Sequence, residues 1–162
     1  MKLKQIIVAM VLLISICSSV TQVKAQITNM PADHIMVMPN NIKWVDNPPG
    51  LPTGSKFAVI EGDPREAGLF TMRVKIPAGY KIMPHWHPAD EHITVLEGSC
   101  FMGLGDKIDE KAVTEMMTDA FAVMKTGTHH FFFAKKECIV QLHGIGPWGI
   151  TYVNPADDPR SK

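Results

Sequence analysis

After its first 25 residues, the chain is cut into short pieces by turn-forming residues. Gly62-Asp63-Pro64, Pro77-Ala78-Gly79, Pro88, Gly98, Lys125-Thr126-Gly127 and Gly144-Ile145-Gly146-Pro147 interrupt it before a long element can form. A globular helix needs roughly 8–20 residues with apolar positions at helical spacing, and no piece shows that period. Short apolar runs between Gly and Pro read as strands. The clearest is 69–76, with Phe70, Met72, Val74 and Ile76 on one face and Thr71, Arg73 and Lys75 on the other. That is the period of a half-buried strand. Further strands are expected at 57–61, after the 77–79 turn through His87, and at 91–96, 99–105, 113–117, 120–124, 130–134, 138–143 and 150–153. Gly103 and Gly105 are expected to bend their strand, and the run from Gly144 to Pro147 to end the one before it. Many short strands separated by such turns specify an all-β sandwich or barrel.

The N-terminus follows a different rule. Lys2 and Lys4 precede an apolar run at 6–16 broken only by Ser15, and Val23-Lys24-Ala25 offers a cleavage site before Gln26. This is the layout of an export signal peptide. A spanning helix needs about 20 apolar residues, so 1–25 is expected to be removed, leaving a periplasmic or secreted chain of 26–162 with no membrane attachment. Ile16 is too bulky for Cys17 to be a lipidation site. The sequence carries 16 Lys+Arg and 16 Asp+Glu; without Lys2, Lys4 and Lys24 the net charge is −3. With no basic run, nucleic acid is not an expected partner. Residues 26–55 read as an extension packing on the barrel, with Met36, Met38 and Trp44 as candidate core anchors and Asn47-Pro48-Pro49-Gly50-Leu51-Pro52 as an extended linker. The barrel itself is expected at 56–153 and a loose tail at 154–162. Cys100 and Cys138 read as small buried apolar side chains in preference to a disulfide.

Chemistry concentrates in His85-Trp86-His87-Pro88-Ala89-Asp90-Glu91-His92. Residues i and i+2 of a strand point to one face, so His85 and His87 can chelate one ion. Pro88-Ala89-Asp90 turns the chain, and Glu91 opens the next strand with a carboxylate for the same ion. Imidazole plus carboxylate suits first-row transition metals. A further ligand has to come from elsewhere, and His129 or His130 is the supply. His92 faces away from Glu91 by alternation. His143 and Gln141 share a face with Ile139; if that face is the inner one, they line the pocket and join Glu91 as candidate catalytic residues. Phe101, Phe121, Phe131, Phe133 and Trp148 read as core. No GxSxG elbow, phosphate-binding Gly loop or CxxC pair is present.

The spacing Gly79-x5-His85-x-His87-x3-Glu91-x6-Gly98 reproduces the first motif of the cupin superfamily. The second motif matches in part. Gly127 and His130 are in place, while Asp119 stands for the usual Gly, Lys125 for Pro and Ala134 for Asn. The chain resembles small single-domain bacterial cupins, including the cupin domain of anti-sigma factors. The resemblance implies a double-stranded β-helix (jelly-roll barrel) over about 56–153, with one divalent metal (Fe, Mn, Zn or Ni) in its mouth. His85, His87, Glu91 and His130 are its implied ligands. The motif selects His130, which leaves His129 at the surface or hydrogen-bonded nearby. In cupins such a ligand set resembles that of dioxygenases, isomerases and decarboxylases. A mononuclear metal-dependent, dioxygenase-like enzyme for a small organic substrate is therefore expected. The alternative is a non-enzymatic cupin that binds or senses a metal or small ligand. The resemblance also implies a homodimer.

Overall fold

The computed structural model describes residues 34–46 and 50–161. The expected signal peptide at 1–25, the start of the extension, and Asn47, Pro48 and Pro49 of the linker lie outside the described residues. The strands are β1 (Val45–Asp46), β2 (Lys56–Glu61), β3 (Gly68–Ile76), β4 (Lys81–Trp86), β5 (Glu91–Glu97), β6 (Ser99–Leu104), β7 (Val113–Met117), β8 (Phe121–Met124), β9 (His130–Phe133), β10 (Cys138–Gly146) and β11 (Thr151–Tyr152). They form two antiparallel sheets, ordered β1-β2-β3-β10-β5-β8 and β11-β4-β9-β6-β7. Placing β3 beside β10 and β4 beside β9 folds late strands back onto early ones, the wrapping of a jelly roll.

The alternation in β3 works as its sequence predicts: Phe70, Met72, Val74 and Ile76 are all buried. They meet Ile93 and Val95 of β5, Met102 of β6, Phe132 of β9, and Val140 and Leu142 of β10 in one core between the sheets. Fully burying each large apolar side chain contributes about 1.5–3 kcal/mol. Cys100 and Cys138 belong to this core as free thiols. Their mutual hydrogen bond, with burial, raises the Cys100 pKa and keeps that thiol protonated. Asp119, standing where the motif has Gly, takes a left-handed φ of 71°. Asp is one of the few other residues that tolerate this conformation, so the turn keeps its shape.

Three expectations are corrected. Strand β10 does not stop at His143 but runs through Gly144 to Gly146, paired with β3. A Cβ on Gly144 would sit 2.8 Å from the Asp90 carbonyl oxygen, so this glycine admits a neighbouring backbone and breaks nothing. Met36 and Met38 are exposed, at 61% and 54%, because the barrel fills its core from its own strands; Trp44 is half-buried beneath Lys75 Nζ. The tail is ordered through Ser161: the Asn154 side chain accepts from the Ala156 backbone N–H, and Arg160 bonds both Asp158 and the Ile150 carbonyl.

Gly103 is also not a bend. It lies inside β6 opposite Phe131 of β9, and a Cβ there would fall 2.7 Å from Cε1 and Cε2 of the Phe131 ring, with Cζ nearer still. Phe131 is fully buried and has nowhere to go. Overpacking of this kind costs roughly 1–3 kcal/mol. Gly103→Ala is expected to lose that much in urea unfolding. An unchanged midpoint would mean that the ring shifts freely.

Candidate metal centre

His85 lies near the end of β4 and His87 just beyond it on the same face, while Trp86 between them turns outward. Pro88 ends the strand, because it has no N–H to continue the ladder. The 88–90 turn carries the chain to the other sheet, where Glu91 is the first residue of β5. Strand β9 runs beside β4 and sets His130 directly opposite His85. Side chains from both sheets therefore meet between them. The ring centroids are 5.0 Å apart for His85–His87, 4.2 Å for His85–His130 and 5.2 Å for His87–His130. One nitrogen from each ring lies within 4.8 Å of the other two. Glu91 Oε1 is 3.5 Å from His87 Nε2, and Oε2 is 3.4 Å from His130 Nε2. All four residues are buried.

The hydrogen bonds fix the tautomers. Nδ1 of His85 lies 2.7 Å from the Met83 carbonyl oxygen, Nδ1 of His87 2.6 Å from that of Gly149, and Nδ1 of His130 2.9 Å from that of Thr128. A carbonyl oxygen only accepts, so each Nδ1 is the donor and each neutral ring keeps its lone pair on Nε2. Burial holds His85 down at about 3, helped by the like charges of His130 and His87. Burial likewise lowers His87. For Glu91, burial pushes upward but is outweighed by the charge of His87, the hydrogen bond and charge of His130 and the charge of His85, leaving a pKa of about 2. With every Nδ1 proton committed to a carbonyl, neutral rings turn their Nε2 lone pairs towards the Glu91 carboxylate. His87 Nε2 is buried without any hydrogen-bond partner. A buried acceptor left in this state is costly unless a cation completes it. The three histidines can hold a metal ion, and the nitrogen-and-carboxylate donor set fits a divalent transition metal.

Two features that hold the cluster were not visible in the sequence. Asp90 ties the 88–90 turn to the turn before β9: its carboxylate accepts from Lys125 Nζ (2.8 Å), from the Thr126 backbone N–H (2.8 Å) and from Thr126 Oγ1 (3.1 Å). These bonds, the side-chain bond to Lys125 first, keep Asp90 at about 2. The loop after β10 supplies the Gly149 carbonyl to His87 and stacks the Trp148 indole on the His87 ring, with centroids 4.5 Å apart and planes 19° apart.

The other candidates go elsewhere. His129 is outside the cluster with Nδ1 2.6 Å from Asp106 Oδ1. Gln141 and His143 are corrected as pocket residues, because β10 buries Val140 and Leu142 and turns the alternate positions outward. There Gln141 accepts from Arg73 Nε, and His143 stacks on His92. A cavity of ≈ 40 Å³ opens at the cluster. Apart from His85, His87, Glu91 and His130, its walls are apolar, Ile82, Ile93, Met102 and Phe132 among them.

The β barrel that carries this histidine cluster is also the fold of the proteins this chain is similar to. The ChrR cupin-like domain family matches residues 32–109. The polyketide cyclase RemF of Streptomyces resistomycificus superposes with a TM-score of 0.63 at 18% identity, over 78% of this chain and 89% of that one. A putative acetylacetone dioxygenase of Methylibium petroleiphilum gives 0.59 at 17% identity, over 82% and 89%. The acetylacetone dioxygenase of Acinetobacter johnsonii gives 0.58 at 16%, over 81% and 84%. At these identities the likeness is one of fold. No curated protein matches the chain significantly in sequence. The chain therefore has the cupin fold, and its residues 32–109 resemble the ChrR cupin-like domain.

Proposed function

We propose that the protein binds one divalent transition metal through His85, His87, Glu91 and His130 and uses it in dioxygenase-like chemistry on a small organic substrate. The observation that carries this reading is the convergence of three Nε2 atoms on the buried Glu91 carboxylate. When bound, such an ion supplies Lewis acidity to a carbonyl or enolate oxygen and, if it is iron, the redox chemistry that dioxygen requires. The protein's own groups do the rest. Neutral imidazoles and one carboxylate leave a divalent centre near +1, attractive to an enolate or phenolate. The apolar walls keep bulk water out. Glu91 is placed to take a proton from a substrate held beside it. Two structural neighbours named as acetylacetone dioxygenases support an enolic, phenolic or diketone substrate class. The second reading is a non-enzymatic metal-binding cupin, favoured by the small volume at the cluster.

The test is elemental analysis of protein purified without chelators, with Glu91→Ala alongside. About one iron or manganese per chain, lost in the variant, is the expected result and directs the next assay to dioxygen uptake. Folded protein that takes up none of Fe, Mn, Zn or Ni would overturn the reading. Export with cleavage after Ala25 belongs to the same proposal, supported by the Lys2–Ala25 pattern. Intact mass of exported protein should correspond to 26–162; retention of 1–25 would refute it.

A further inference from the structure

The cavity at the histidines is ≈ 40 Å³, well below the about 300–1,000 Å³ of a pocket for a drug-sized ligand. The bulk of an organic substrate whose polar end reaches Glu91 needs further room. A second cavity, of ≈ 580 Å³, lies against the first, and Leu51, Val74, Trp148 and Ile150 line both. Its volume is that of a pocket for a drug-sized ligand, about 300–1,000 Å³. Phe57, Val59 and Met72 make its far wall from β2 and β3. The charges that line it are committed. Arg65 is bound to Asp63 at 2.6 Å and Arg160 to Asp158 at 2.7 Å. Neutralised pairs leave no spare cation to select a polyanion, so the walls select hydrocarbon.

We propose that this larger cavity is the substrate pocket of the metal centre, that it takes a mainly apolar molecule with one enolic or phenolic oxygen, and that Trp148 is the wall between pocket and metal. The proposal rests on the metal-centre reading. Trp148 stacks on His87, and Gly149, whose carbonyl orients His87, also lines the large cavity. An occupant therefore touches the loop that aims a metal ligand. Trp148 Nε1 is buried without a hydrogen-bond partner. No hydrogen bond through Nε1 therefore pins the indole in its seat when a ligand's polar end advances.

The experiment is calorimetric titration of metal-stripped protein with 2-naphthol, and with oxalate as the polar comparator. Saturable one-to-one binding of 2-naphthol and none of oxalate is expected. Val59→Arg, which puts a charge into the apolar wall, and Val59→Phe, which fills it, should each weaken 2-naphthol at least tenfold while metal uptake is unchanged; the second variant keeps the wall apolar should the first not fold. Absence of 2-naphthol binding, equal affinity in a folded Val59 variant, or oxalate binding as tightly as 2-naphthol would overturn the pocket. Metal uptake is read on the same samples. Failure there overturns the metal centre, whereas failure of 2-naphthol to bind protein that takes up metal overturns the pocket.

Discussion

Alanine at His130 should empty the metal centre, and alanine at His129 should leave it filled. The two residues are adjacent, so strand geometry sends them to opposite sides. His130 is 1% exposed, with Nε2 3.4 Å from Glu91, whereas His129 stands outside with Asp106. Removing even a residue that only orients a ligand costs a metal site 10–100-fold in affinity. Removing a ligand should cost more, beyond about a hundredfold. His129→Ala gives up one half-exposed contact with Asp106, which is worth little. Metal per chain after dialysis against a weak chelator should fall to near zero in the first variant and stay at wild type in the second. Equal losses would sink the assignment of His130.

That contrast is legible in the motif spacing, whereas other parts of the site are not. The motif spacing named His85, His87, Glu91 and His130, and the structure brings all four together. The barrel was legible because β3 alternates cleanly and Gly and Pro punctuate the rest. Strand β10 was not, since it reads Cys138-Ile139-Val140-Gln141-Leu142-His143 and offers aliphatic residues to both faces. Alternation gives a period there but no sign. The sign comes from pairing with β3 on one side and, across an irregularity at Ile139/Val140, with β5 on the other. The partners that orient the histidines were hidden for another reason. They are the carbonyls of Met83, Gly149 and Thr128, and every residue has a carbonyl. Trp148 read as core because an indole stacked on an imidazole and an indole in a core have the same local sequence. Asp90 stands directly before Glu91, but nothing local marks its role, because its partners Lys125 and Thr126 lie too far along the chain to be paired by inspection.

Metal-stripped protein should weaken steadily as pH falls from about 6.5 towards 3. His85 has a folded pKa of about 3 against 6.5 for the free side chain, set first by burial and then by the like charges of His130 and His87. In that window the unfolded chain takes up a proton that the folded cluster refuses, so acid favours unfolding. The contribution is fully present above 6.5 and is lost as pH falls through the folded pKa. A shift of this size is on the order of 5 kcal/mol, since each pKa unit is worth about 1.4 kcal/mol, which is a large part of a domain's stability of about 5–15 kcal/mol. Glu91, at about 2 against 4.5, has the same sign and extends the loss below pH 4.5. Metal changes the baseline: an ion that binds only the folded state adds about 2.7 kcal/mol when its free concentration is a hundred times its Kd. Urea unfolding at a series of pH values, with stripped and metal-loaded protein side by side, reads both effects. The stripped protein should show the steep fall, and stripped His85→Asn a shallower one. Parallel curves for the two between pH 6.5 and 4 would mean that His85 takes up its proton in the folded state, and that the cluster is neither as dry nor as short of donors as its geometry requires.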